Sequence, residues 1–145
     1  MGPVVKKLAL FVAFAAVLLC LGGYGTSRAE EPRRIFTHIS TDANHRLQKA
    51  LGYTANQMDR GVLVAVWADD RAVLALSKKN AEAFAKEQEL VARLIKGKAL
   101  VVACPFSMKH YGVNAEDLLP GVVVGGNFDL LDSFLFAPGV RTLNW

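Results

Sequence analysis

Two unbroken apolar stretches, Val62-Leu-Val-Ala-Val-Trp67 and Ala99-Leu-Val-Val-Ala103, constrain the fold of this chain more than any other feature. A strand with one wet face alternates apolar and polar residues, so a run without alternation must be covered on both faces. Between the runs, over residues 81–96, Phe84, Gln88, Val91 and Ile95 recur at helical spacing and predict one buried stripe. Asn80 is expected to cap this helix and Gly97 to stop it. Glu82, Lys86, Glu87, Glu89 and Arg93 read as its solvated face. Strand, helix and strand at this spacing form a crossover between parallel strands.

The pattern extends in both directions. Residues 35–40 read as a first strand, with Asp42 as the cap of a helix whose stripe is Leu47, Leu51, Thr54 and Met58 and which ends at Gly61. Residues 73–76 fit either an extended segment or a loop. Residues 105–111 suit a short helix or turn, and 114–119 another short helix stopped by Pro120-Gly121. Residues 122–124 read as a fourth strand turned by Gly125-Gly126, 130–136 as a helix and 141–145 as a last strand. The expectation is an α/β fold, a small flavodoxin-like, doubly wound, mainly parallel sheet with helices on both faces. Such sheets bind ligands outside the carboxyl ends of their strands. The polar groups at those ends are residues 40–42, Asp69 with Asp70, and Cys104.

Residues 1–29 read as a signal peptide. Lys6 and Lys7 precede a 14-residue apolar core at residues 8–21, shorter than the roughly 20 residues that span a bilayer. Ser27-Arg28-Ala29 supplies the small residues of a cleavage site, so the mature domain is expected at residues 30–145, exported to the periplasm without a stable membrane anchor. A lipoprotein signal at Cys20 and an uncleaved anchor are the competing readings. Of the 17 basic residues, Lys6, Lys7 and Arg28 lie in this segment, which has no acidic residue; against 13 acids the mature part is left at net +1. That is no footprint for nucleic acid.

Cys20 would leave with the signal, making Cys104 the single cysteine of the mature part. It cannot form an internal disulfide. A strand that stops at a cysteine and continues into a proline-started helix puts the sulfur at the sheet edge over a helix start, which favours the thiolate. A small buried hydrophobe is the plain alternative. Lys109 and His110, within a turn or two, are candidate stabilisers of a sulfur anion. Cys104-Pro-Phe-Ser107 resembles a monothiol redox motif, but it follows the third strand and not an early one as in thioredoxin-like folds. No protease signature surrounds Cys104. His38, His45, His110 and Cys104 lack metal-ligand spacing, and Gly125-Gly126 lacks the dinucleotide pattern, so no metal or cofactor is expected. Trp67, Phe128, Phe134 and Phe136 read as core or subunit interface.

Cys104-Pro-x-x-Met-Lys-His-Tyr-Gly-Val113, with Glu116-Asp-Leu-Leu-Pro-Gly121 and Val124-Gly125, resembles the DsrE/DsrF-like family. Val73-Leu-Ala-Leu-Ser-Lys-Lys-Asn80 and Thr142-Leu-Asn-Trp145 are similar to exported members of that group. The resemblance implies a small α/β sandwich that assembles as a homo-oligomer, trimer or hexamer. It also implies sulfur relay, in which Cys104, eight residues before Gly112, carries sulfane sulfur as a persulfide between a donor and an acceptor protein. Pro105 and the backbone after it, with Asp69, Asp70 and Ser107 along the same edge, would line the site. Many exported relatives carry Cys-Pro-x-Cys; Ser107 here closes the two-thiol route within one subunit. The rival reading is a non-catalytic oligomeric binding or scaffold protein of the same fold.

Overall fold

The computed structural model describes residues 31–126 and 128–145; the expected signal segment with Cys20 lies outside them. The two apolar runs become neighbouring inner strands, β2 (Leu63–Ala68) and β3 (Leu100–Ala103). With β1 (Arg34–Ile39), β4 (Val123–Val124) and β5 (Val140–Asn144) they make one sheet in the order β4-β3-β2-β1-β5, every pair parallel. The chain steps outward from β1 to β4, then returns to lay β5 against the free edge of β1. The helices are α1 (Asn44–Asp59), α2 (Ala81–Lys96), α3 (Pro105–Tyr111) and α4 (Phe128–Leu135). This is the expected doubly wound, flavodoxin-like α/β arrangement, with a sheet that is wholly parallel.

Alternation along the strands divides the core. Val64, Val66, Ala68, Val101 and Ala103 face α1 and α2 and meet Leu47, Leu51, Val91 and Leu94. Each such leucine contributes about 1.5–3 kcal/mol by leaving water. On the opposite face Phe36, Ala65, Trp67 and Leu100 meet Leu131, Phe134 and Leu135 of α4. That cover is thin: Phe136 is 82% exposed, and Leu130 and Val123 are also open to solvent.

Several local expectations are corrected. The buried stripe of α2 is Phe84, Glu87, Val91 and Leu94, not the one through Gln88 and Ile95. Phe84 has non-helical backbone angles (φ −125°, ψ 28°) in the first turn of α2. Glu87 is 1% exposed at the seam with α1, where Gln48 Nε2 donates to its Oε1 at 2.9 Å. Asp42 and Asn80 make no cap bond. Ala43 precedes α1, Asp42 is drawn to Arg71, and the Asn80 amide donates to the Leu74 carbonyl. Residues 73–76, read as extended or loop, belong to a 3-10 helix (Asp70–Leu76) with Ala72, Val73, Ala75 and Leu76 buried. The second short helix is a single 3-10 turn at Ala115–Asp117.

Two threonines tie β1 to α1. Thr37 and Thr54, both fully buried, sit with their hydroxyl oxygens 2.8 Å apart. Thr54 spends its hydrogen on the Ala50 carbonyl at 2.7 Å, so Thr37 is the donor between them. Thr54→Val strands the Thr37 hydroxyl and should cost about 1–3 kcal/mol. Thr37→Val with Thr54→Val should recover much of that loss, because no buried polar group is left over. Urea unfolding of the two single variants and the double variant checks the cycle.

Candidate functional site

The parallel ladder runs one residue past the strands. Ile39, Ala68, Ala103 and Val124 stand in register across β1 to β4. Beyond them the Asp69 N–H donates to the Ile39 carbonyl at 3.0 Å, the Cys104 N–H to Ala68 at 2.9 Å and the Gly125 N–H to Ala103 at 2.9 Å. Ser40, Asp69, Cys104 and Gly125 thus form the next rank at the carboxyl edge. Asp69 (φ −125°, ψ −176°) and Cys104 (φ −67°, ψ 120°) are both extended, so strand alternation carries through them. Cys104 follows Leu100 and Val102 in that alternation, on the face of the sheet that carries α4. Gly125 is glycine for lack of room: a Cβ there would lie 2.6 Å from the Trp67 ring.

Cys104 is half-buried, holds a free thiol and occupies the N-cap position of α3. Pro105 follows at the first helical position, where its fixed φ is already helical and its missing N–H costs nothing. The Cys104 carbonyl accepts the Met108 N–H at 2.9 Å. Gly112 ends the helix at φ +68°, and the Val113 N–H reaches back to Met108 at 2.9 Å. A glycine eight residues after the cysteine is thus the left-handed stop of a two-turn helix.

Asp70 fixes the direction of that helix. Its φ of +44° is strained for a residue with a side chain. Its N–H donates to Ser107 Oγ at 2.8 Å in the first turn of α3, and its carboxylate accepts from the Tyr111 hydroxyl in the last. Ser107 is therefore engaged by backbone. Arg71, next along, pairs with Asp42 at 2.6 Å and lies 5.9 Å over the Tyr111 ring. The Asp70 carboxylate on its hydroxyl raises the Tyr111 pKa, and the Arg71 guanidinium lowers that of Asp42.

Asp69 belongs to a different group. Its Oδ2 is 3.0 Å from His38 Nε2, while His38 Nδ1 is 3.2 Å from Asn144 Oδ1. The ends of β2, β1 and β5 are joined by this chain. Sequence reading weighed His38 only as a protease or metal partner and did not find Asn144, which lies 106 residues away. The available signal was alternation, which places His38 on the face of Phe36. Lys109 and His110 are brought elsewhere: both are exposed in the last turn of α3, roughly 7–9 Å along the helix from Cys104. His110 stacks edge-on against Tyr111. Among the described residues no three His, Cys, Asp or Glu side chains are grouped as metal ligands. Two motif segments also meet: Ser77 bridges to Leu118, and Lys79 pairs with Asp117 at 2.7 Å.

A single-sheet α/β domain with a cysteine at the carboxyl edge is the class these features define. No protein-family model matches the chain, and no curated protein matches it. Solved structures do. A protein of unknown function, MTH1491 from Methanobacterium thermoautotrophicum, superposes with a TM-score of 0.61 at 20% identity, over 78% of this chain and 99% of its own. The ychN protein from E. coli gives 0.61 at 16% identity, over 77% and 99%. A conserved protein of unknown function, BT1422 from Bacteroides thetaiotaomicron, gives 0.59 at 16%, over 77% and 94%. At these identities the likeness establishes the fold.

The Asp42–Arg71 pair makes a pH prediction. Arg71 holds the folded-state Asp42 carboxyl below its ordinary value of 3.8. The stability this contributes is complete above that value and disappears as pH falls through the lower folded one. Arg71→Gln should therefore cost a little stability near neutrality, and the gap from wild type should narrow as pH falls below 3.8. Paired thermal melts across that range measure it.

Proposed function

We propose that this protein is a DsrE-like sulfur carrier in which Cys104 takes up sulfane sulfur as a persulfide and hands it to a partner thiol. The observation that carries the reading is the placement of one unpaired, half-buried cysteine at the end of β3, where backbone ladder and proline-started helix both fix it. The fold shared with the solved structures and the motif resemblance support it. Loading is thiolate attack on the outer sulfur of a donor persulfide: the Cys104 S–S bond forms, the donor S–S bond breaks, and a donor thiolate leaves. Ser107, committed to the Asp70 N–H, does not resolve the persulfide, so the sulfur departs by attack of a thiol from another protein. In this reading residues 1–29 direct export and the domain works in the periplasm as an oligomer.

The apolar surface around α4 favours a second reading, an oligomeric scaffold without sulfur chemistry. Phe136, Leu130 and Val123 are exposed there, beside a shallow groove floored by Trp67, Val102 and Leu131.

Intact mass spectrometry after incubation with inorganic polysulfide separates the two. A carrier should gain about 32 Da per transferred sulfur, lost on reduction and absent in Cys104→Ser. An unmodified wild-type protein that also resists alkylation assigns the thiol to structure and leaves the scaffold.

A further inference from the structure

Two features of the Asp69–His38–Asn144 chain are unexplained by folding alone. The first is an orphan acceptor. Asp69 Oδ1 is shut off from solvent and has no hydrogen-bond partner, while Oδ2 is taken up by His38. Such an atom is destabilising unless a donor reaches it. The second is the ambivalence of the far end. Nε2–H points at Asp69 whether the ring is neutral or charged. Nδ1 can donate to Asn144 Oδ1 when protonated, or accept from the Asn144 amide, turned over, when it is not. Asn144 thus leaves His38 satisfied in both protonation states.

Cys104 is the neighbour of Asp69 in the rank beyond the ladder, on the same face of the sheet, and its S–H is the donor that backbone register brings nearest in sequence order to that orphan acceptor. We propose that Asp69 takes the proton of the Cys104 thiol and returns it to the leaving thiolate, with His38 and Asn144 as positioning residues that hold the carboxylate in place. The proposal rests on the sulfur-carrier reading. The step balances without an oxidant: Cys104–SH and R–S–SH give Cys104–S–SH and R–SH, and the one proton released is the one returned. The other charged groups of this edge are Asp42 and Arg71, paired with each other, and Asp70, held by Tyr111 and Ser107.

The test is the rate of Cys104 persulfide formation from inorganic polysulfide across about pH 5–9, alongside iodoacetamide alkylation, for wild type, Asp69→Asn and His38→Gln. Both substitutions should slow loading by about tenfold or more. Both variants should also be slower than wild type toward iodoacetamide, Asp69→Asn more than His38→Gln. Wild-type loading should also slow in D2O. Profiles and rates untouched by either substitution overturn the proposal. If a variant loses its fold by circular dichroism, the wild-type protein decides, and the absence of a solvent isotope effect on loading overturns the proposal. Absence of any wild-type persulfide sinks the carrier reading instead. The iodoacetamide profiles then still report whether Asp69 governs the thiol, and no difference among the three proteins overturns that too.

Discussion

The hydrogen bond from the Cys104 N–H to the Ala68 carbonyl is the contact on which the candidate site depends. It extends the β2–β3 ladder one residue past the strands. Backbone geometry therefore sets where the sulfur sits relative to Asp69, and side-chain packing has little say. The equivalent bond from Asp69 to Ile39 sets Asp69 relative to β1. Parallel strands impose this regularity because their hydrogen bonds are evenly spaced, so ends that begin in register stay in register. Everything polar at the edge is arranged on that grid.

Around the grid, three carboxylates are each engaged by a side chain of another element. Asp42 meets Arg71, Asp70 meets Tyr111, and Asp69 meets His38. These bonds cross between elements and so stiffen the edge: α3 is held to the β2–α2 connection at both its ends, and β5 is held to β1. A thiol on such a frame keeps its surroundings fixed while its own side chain turns, which is what a carrier needs of a scaffold.

The strands were legible because they are unbroken apolar runs, and α2 was legible at both ends because its period persists over sixteen residues. What stayed hidden was non-local or angular. Helical spacing from Phe84 admits either Glu87 or Gln88 inward, and the rule that charges face water favours Gln88; the contact with Gln48 of α1 that selects Glu87 is non-local. The strained turn at Asp70 needs Ser107 and Tyr111 to hold it, 37 and 41 residues on. The His38–Asn144 contact required knowing that β5 returns to β1, which strand order reveals and residue order does not. The cysteine was found by its uniqueness and its place after a strand, but its polar neighbours came from elements the sequence could not align.

The return of β5 also has a consequence for how the protein acquires its form. β1 pairs on one side with a strand about thirty residues on and on the other with one more than a hundred residues on. Until residues 140–144 arrive, β1 presents an open row of backbone donors and acceptors, the kind of edge that recruits a foreign strand. Contacts of such sequence separation form late, after the loop entropy of the whole domain has been spent. Only the last strand both seals the edge and delivers Asn144, so closure of the sheet and completion of the polar site are one event.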